Sequence, residues 1–221
     1  MEQGIANIQI ALFITETLTA IVALRNWHKL KGSYWRYFPI YLTWICIAEW
    51  SGYVSSKYEE SEFNPILYNF FVTPSEYLFF VWITSNIVDT KKNKRIILTC
   101  FSVIFLITMF VEYNYLLNKT YFFMSLSNSV GTLFLLIMIL RCLYDFVFSD
   151  KILQYRNSLE FWVIIGITLF YLLSFPFYGM WNILLFKYYD IFIIYNSIVL
   201  ILSMMMYVSF SIGILWSKPT S

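Results

Sequence analysis

Charge is scarce in this chain. Only 13% of its 221 residues are Asp, Glu, Lys or Arg, against roughly 25% in an ordinary soluble domain. With 60% hydrophobic residues beside it, that scarcity excludes a soluble fold. No basic stripe lies on a soluble element, so nucleic acid is excluded as a partner. Histidine occurs once, as His28 in a basic loop, where it reads as a snorkelling interfacial residue rather than a catalyst. The three cysteines, Cys46, Cys100 and Cys142, form no Cys-x-x-Cys and no Cys/His spacing. Neither a metal site nor a disulfide framework follows, no cofactor is implied, and buried structural thiols are expected.

Other absences narrow the function. The last apolar run holds no lysine before Lys218, so a retinal Schiff base is excluded. There is no HExxH, GxSxG or His-rich helix for an intramembrane hydrolase, and no helix with the regular arginines of a voltage sensor. No GxxxG marks a close helix pair. The longest loops, near 25–37 and 57–65, are about a dozen residues, too short to fold alone. Kinase, cyclase and nucleotide-binding modules are therefore excluded, and any intracellular output must come from a partner. No positively charged segment precedes the first apolar run, so a cleavable leader is not expected.

What the chain does have is apolar runs. Seven are long enough to cross a bilayer, at about 20 residues per helical crossing. They cover 5–24, 38–56, 66–88, 96–116, 121–145, 160–185 and 190–216. The expectation is an all-α membrane protein, a single seven-helix transmembrane bundle over residues 1–221. The sixth and seventh runs are separated only by Lys187 to Asp190, which makes that junction the least secure.

Lys and Arg set the orientation. Arg25, Lys29, Lys31, Arg36, Lys91, Lys92, Lys94, Arg95, Arg141, Lys151, Arg156 and Lys218 fall in one set of loops, twelve of the fifteen basic residues. Lys57, Lys119 and Lys187 fall in the other, with Glu59, Glu60, Glu62, Glu112 and Asp190. The N-terminus is expected outside and the C-terminus inside, with the Lys91 to Arg95 cluster against anionic headgroups. Trp27, Tyr34, Trp35 and Tyr37 at the inner edge, and Tyr113, Tyr115 and Tyr121 at the outer, read as an interfacial belt. Phe79, Phe80, Phe110 and Phe170 should face lipid or neighbouring helices. Asn118-Lys119-Thr120 matches a glycosylation sequon, which matters only in a secretory pathway.

Polar residues inside the runs carry the chemistry. Glu16 lies near the middle of the first, Glu49 in the outer half of the second and Glu76 close to the middle of the third. A carboxylate in hydrocarbon is costly, and no Lys or Arg lies deep enough to pair with these. They are neutral acids, or line a hydrated cavity, or hold a cation. Asn69, Asn128 and Asn196 come within about two turns of the outer surface, and Ser174 falls in the outer part of the sixth run. Five helices thus put hydrogen-bonding groups at one level, as an outward-opening cup requires. The plain alternative is that each bonds a neighbouring helix, worth about 0.6 kcal/mol on average. Pro74 and Pro176 each remove a backbone bond inside a run, giving either a hinge or a packing kink. Glu112, Asp145 and Glu160 sit near run ends and need no special role.

Two segments resemble a family. Asn64-Pro-Ile-Leu-Tyr-Asn-Phe-Phe-Val-Thr-Pro-Ser-Glu-Tyr-Leu-Phe-Phe80 opens the third run, and Glu160-Phe-Trp-Val-Ile-Ile-Gly-Ile-Thr-Leu-Phe-Tyr-Leu-Leu-Ser-Phe-Pro-Phe177 forms most of the sixth. Both are similar to small bacterial seven-helix membrane proteins without an assigned activity. The resemblance implies a fold and a place in the bacterial inner (cytoplasmic) membrane, not a reaction. The topology is also similar to the membrane portions of seven-helix sensor kinases, by architecture alone.

Three functions stay open. The first is a sensory or accessory module that binds a small or lipidic ligand through Glu49, Glu76, Asn69, Asn128, Ser174 and Asn196. It would signal through a membrane or cytoplasmic partner, with Pro74 and Pro176 as hinges. The second is a proton- or cation-coupled transporter using Glu16, Glu49 and Glu76. The third is a lipid-modifying enzyme, ranked last because no nucleophile–base spacing is visible. Beyond the lipid bilayer, the sequence gives no partner identity and no oligomeric state.

Overall fold

A computed structural model describes residues 2–57, 63–88, 91–116, 123–149 and 155–217. The sequon 118–120, Tyr121, Glu59, Glu60, Glu62, Lys119, Lys151 and Lys218 lie outside the described residues, as do the side chains of Lys91 and Lys92. No strand occurs among the described residues. The long helices are α1 (Glu2–Arg25), α2 (Phe38–Lys57), α3 (Phe63–Val88), α4 (Lys91–Val111, extended by a π-helical turn Glu112–Leu116), α5 (Ser125–Val147), α6 (Leu159–Lys187) and α7 (Tyr189–Trp216). A short turn Trp27–Leu30 and a 3-10 turn Tyr34–Tyr37 join α1 to α2. Tyr188 alone separates α6 from α7.

Seven crossings are expected from the sequence. Six helices, α1 and α3 to α7, are long and apolar enough to cross a membrane. The chain is thus an all-α, multi-pass membrane protein whose apolar helices meet the bilayer. With 20 residues α2 is long enough, but it is not among those six. Glu49, Ser51, Gly52, Ser55 and Ser56 dilute its second half.

The helices form a ring. α1 packs on α2 and α7, α7 on α6, α6 on α5, and α5 on α3, whose first turn returns to α2. α4 stands outside the ring and leans on α3 and α5. Short polar side chains stitch the ring where apolar contact gains nothing over lipid. Trp50 Nε1 donates to Thr17 Oγ1 at 3.0 Å, Ser211 Oγ to Thr19 Oγ1 at 2.9 Å, and Ser209 Oγ to the Trp162 carbonyl at 2.7 Å. The sequence contains no GxxxG, yet α6 and α7 approach closely. One glycine from each helix makes the contact. A Cβ on Gly213 would lie 2.7 Å from Trp162 Cβ, and one on Gly166 3.2 Å from the Met206 carbonyl.

Several surface expectations are corrected here. Trp35 is not an interfacial belt residue: it is 1% exposed, edge-on to Phe38 at 5.5 Å, and belongs to the core. The short 3-10 turn folds it inward. Tyr34 is partly covered and donates to Glu160 Oε1 at 2.9 Å, so Glu160 ties the first loop to the start of α6. Burial, then the neighbouring Glu160 carboxylate, pushes the Tyr34 hydroxyl above the ordinary tyrosine range. At the other edge Tyr113 and Tyr115 are exposed, as belt residues are. Phe80 and Phe170 face neighbouring helices, and Phe110 faces outward. Only Cys142 is a buried thiol; Cys46 is half-buried and Cys100 exposed, because the outer face of α4 has no helix to cover it.

Candidate functional site

The site is built around an irregularity in α3. Pro74 lacks an N–H, and its ring would collide with the carbonyl four residues back. The preceding turn, Tyr68–Val72, widens into a π-helix, and the Thr73 N–H reaches the Tyr68 carbonyl instead. Such turns add a residue to the helix and rotate the side chains before it. Tyr68, Asn69, Val72, Thr73, Glu76 and Tyr77 thereby all line one cavity. The sequence left a hinge or a packing kink open at this proline; the structure accommodates it in a wide turn.

The cavity holds about 460 Å³ and lies inside the ring. Its walls come from residues 9–16 of α1, 45–49 of α2, 64–77 of α3, Phe123 and Asn128 at the start of α5, 170–181 of α6 and 196–207 of α7. The cavity thus reaches from the end opposite the loops that follow α1, α3 and α5 into the middle of the bundle. α4 contributes nothing to it.

Glu16, Glu49 and Glu76 all line this cavity, together with Asn69, Asn128 and Asn196. They are not equivalent. Tyr68 donates to Glu49 Oε2 at 2.5 Å, and Tyr171 donates to Glu76 Oε1 at 2.7 Å. Glu16 is 4% exposed, with Tyr207 beside its carboxyl, and its Oε2 is buried without a hydrogen-bond partner among the described residues. Asn69 Oδ1 accepts the Met124 N–H at 3.3 Å. Asn128 accepts from the Tyr77 hydroxyl at 3.1 Å and donates to the Met124 carbonyl at 3.0 Å. These two amides therefore also hold α3, α5 and the start of α5 together. Asn196 is half-buried at the rim of α7.

Ser174 does not line the cavity. It shares a helix face with Tyr171 and Tyr178, which do, but its side chain is short. It is fully buried, and its hydroxyl has no partner among the described residues. Pro176 lies two residues on, inside an α6 that runs unbroken for 29 residues.

Sequence reasoning missed two contributions. Tyrosines supply the acid partners: Tyr68, Tyr171 and Tyr207 each stand at one glutamate. Their distances along the chain from those glutamates, 19 residues for Tyr68 and 95 for Tyr171, leave no local signal. Glu112 is the second. It is buried, and its carboxyl accepts the Leu126 N–H at 2.7 Å and, at 2.6 Å each, the Ser127 N–H and Ser127 hydroxyl. A helix start has free N–H groups and a partial positive charge. Met124 before α5 offers no capping side chain, so Glu112 supplies one from α4.

No group of three or more Asp, Glu, His or Cys among the described residues is arranged to hold a metal ion. The three glutamates line one hollow without forming such a group. Compared with family models, curated proteins and solved structures, the chain matches none.

Proposed function

We propose that the chain is a sensory or accessory module of the cytoplasmic membrane. It takes a small or lipidic ligand into the hollow inside the ring and passes the change to a partner at the basic end. One observation carries this reading: Glu16, Glu49, Glu76, Asn69, Asn128 and Asn196, drawn from five helices, converge on one cavity. Isolated polar groups that merely tie helices together have no reason to share a hollow. A ligand shifts the bundle only if it binds one arrangement better than another. The wide turn before Pro74 and the interior Pro176 are the places where α3 and α6 give.

In this reading α2 is a seventh crossing. Ile40, Trp44, Ile47, Trp50 and Val54 are all exposed and recur every three or four residues, so an apolar stripe faces outward along its whole length. The basic loops then put the cavity and the N-terminus outside and the C-terminus inside. The two motifs similar to small bacterial seven-helix proteins support the same membrane.

A proton- or cation-coupled transporter is the second reading. It is favoured by three carboxyl groups lining a cavity that no Lys, Arg or His among the described residues lines. One experiment separates the two. Cys46, Cys100 and Cys142 are replaced by serine, Asn196→Cys is introduced, and a membrane-impermeant maleimide is applied to intact cells and to inverted vesicles. A sensor is labelled from outside only. Labelling from both faces, as alternating access requires, favours transport. Labelling from neither face ends the cavity reading.

A further inference from the structure

We infer that the cavity takes an organic ammonium ion: a free protonated amine with an apolar or aromatic body and no phosphate. This rests on the hollow being a ligand site, and it names what fills it. The first observation is the make-up of the walls. Among the described residues, three carboxyl groups line the cavity and no basic side chain does. A positive charge entering from outside supplies the counter-ion that the walls lack, and buried charges persist when paired.

Glu16 supplies the second observation. A tyrosine stands at each glutamate, but Glu16 Oε2 is buried with no hydrogen-bond partner among the described residues. A buried acceptor left empty is costly, and a charged donor makes the strongest bond to it. An ammonium N–H is such a donor. The remaining walls suit the body of the ligand. Phe13, Phe123, Phe170, Tyr178 and Trp181 also line the cavity, and aromatic side chains attract cations and bury hydrocarbon. The volume of about 460 Å³ is that of a site for an organic molecule.

Other cations fit less well. A hard inorganic ion needs six or more oxygens, or a near-ideal octahedron, closed around a point. The glutamates form no such group. A phosphatidylethanolamine headgroup carries an ammonium too, but its phosphate would enter among three carboxyl groups with no Lys or Arg among the described lining residues to receive it.

The probe is 2-phenylethylammonium chloride, with the full chain in dodecyl maltoside micelles at low ionic strength. Binding is read by calorimetry and by protection of Asn196→Cys from maleimide. The expected result is saturable binding, protection of Cys at position 196, and no binding of 2-phenylethanol, which has the same body without the charge. Glu16→Gln should weaken binding by about tenfold or more, the loss of one charge-assisted bond. Glu49→Gln serves as a second variant if Glu16→Gln does not fold. Equal binding of 2-phenylethanol overturns the proposal. So does displacement of the amine by an equal concentration of potassium chloride or of phosphatidylethanolamine, or affinity unchanged in both variants. Maleimide reaching position 196 with no protection by the amine rejects the ligand class and leaves the site standing. Maleimide never reaching it rejects the site itself.

Discussion

At the end of the bundle that carries the loops after α1, α3 and α5, aromatic rings fill the interior. Trp35 packs on Phe38, Phe38 on Phe79 and Phe210, and Tyr41 stacks on Phe79 at 4.0 Å with nearly parallel planes. At the opposite end aromatic rings are as frequent, yet they stand around a hollow and share its walls with carboxyl and amide groups. Rings touch at both ends: beside the hollow Phe123 packs on Trp181 at 4.7 Å. What differs is the polar groups, since three carboxyls and the tyrosines that donate to two of them stand in the walls of the hollow, and buried polar groups are held where their hydrogen bonds are made. The difference teaches that aromatic content alone does not decide whether a bundle is solid.

Substitutions across the molecule test that contrast, with the largest loss expected in the ring-filled interior and the smallest at a glutamate that lines the hollow. Trp35→Ala removes a fully buried ring and should cost about 3 kcal/mol, read by unfolding in mixed micelles. Glu112→Ala leaves two helix-start N–H groups and the Ser127 hydroxyl unpaired. Its expected cost is about 2 kcal/mol, with the loss of helix confined to the start of α5 by hydrogen exchange. Gly213→Ala forces a methyl group against Trp162 Cβ, near the backbone where little can yield. About 1–2 kcal/mol is expected, with α6 and α7 separating in crosslinking yield. Glu16→Gln, at the hollow end, should change stability by less than about 0.5 kcal/mol in either direction. It keeps the shape and replaces an oxygen that has no donor among the described residues. If Glu16→Gln destabilised the protein as much as Trp35→Ala, the hollow would be part of the scaffold and the contrast would fail.

The helices were largely legible in the sequence because their runs of apolar residues are long and their ends carry charge. The expected 38–56 and 190–216 differ from Phe38–Lys57 and Tyr189–Trp216 by a residue or less at each end. The junction of α6 and α7 was hard to read for a physical reason. A single residue, Tyr188, makes the turn, so the hydropathy hardly dips. Glu49, Glu76 and the three asparagines were visible as polar groups at one level, and Glu16 as a carboxyl near the middle of its run, since depth follows from counting residues along a helix. Rotation about each helix axis was not visible. Ser174 has the right depth and the right face, but its side chain is too short to reach. Trp35 has the composition of a belt residue, but a 3-10 turn folds it inward. Partners far along the chain, such as Tyr171 for Glu76 or Glu112 for α5, follow from packing that no local pattern records.

Glu112 also bears on the order in which the molecule can come apart. The first turn of α5, from which Asn128 reaches Tyr77, is secured by a carboxyl group that belongs to the one helix outside the ring. α4 therefore works as a splint. A protease cut or a lipid that pries it loose would fray α5 from its start and unsettle one wall of the hollow, while the closely paired α6 and α7 stay clasped.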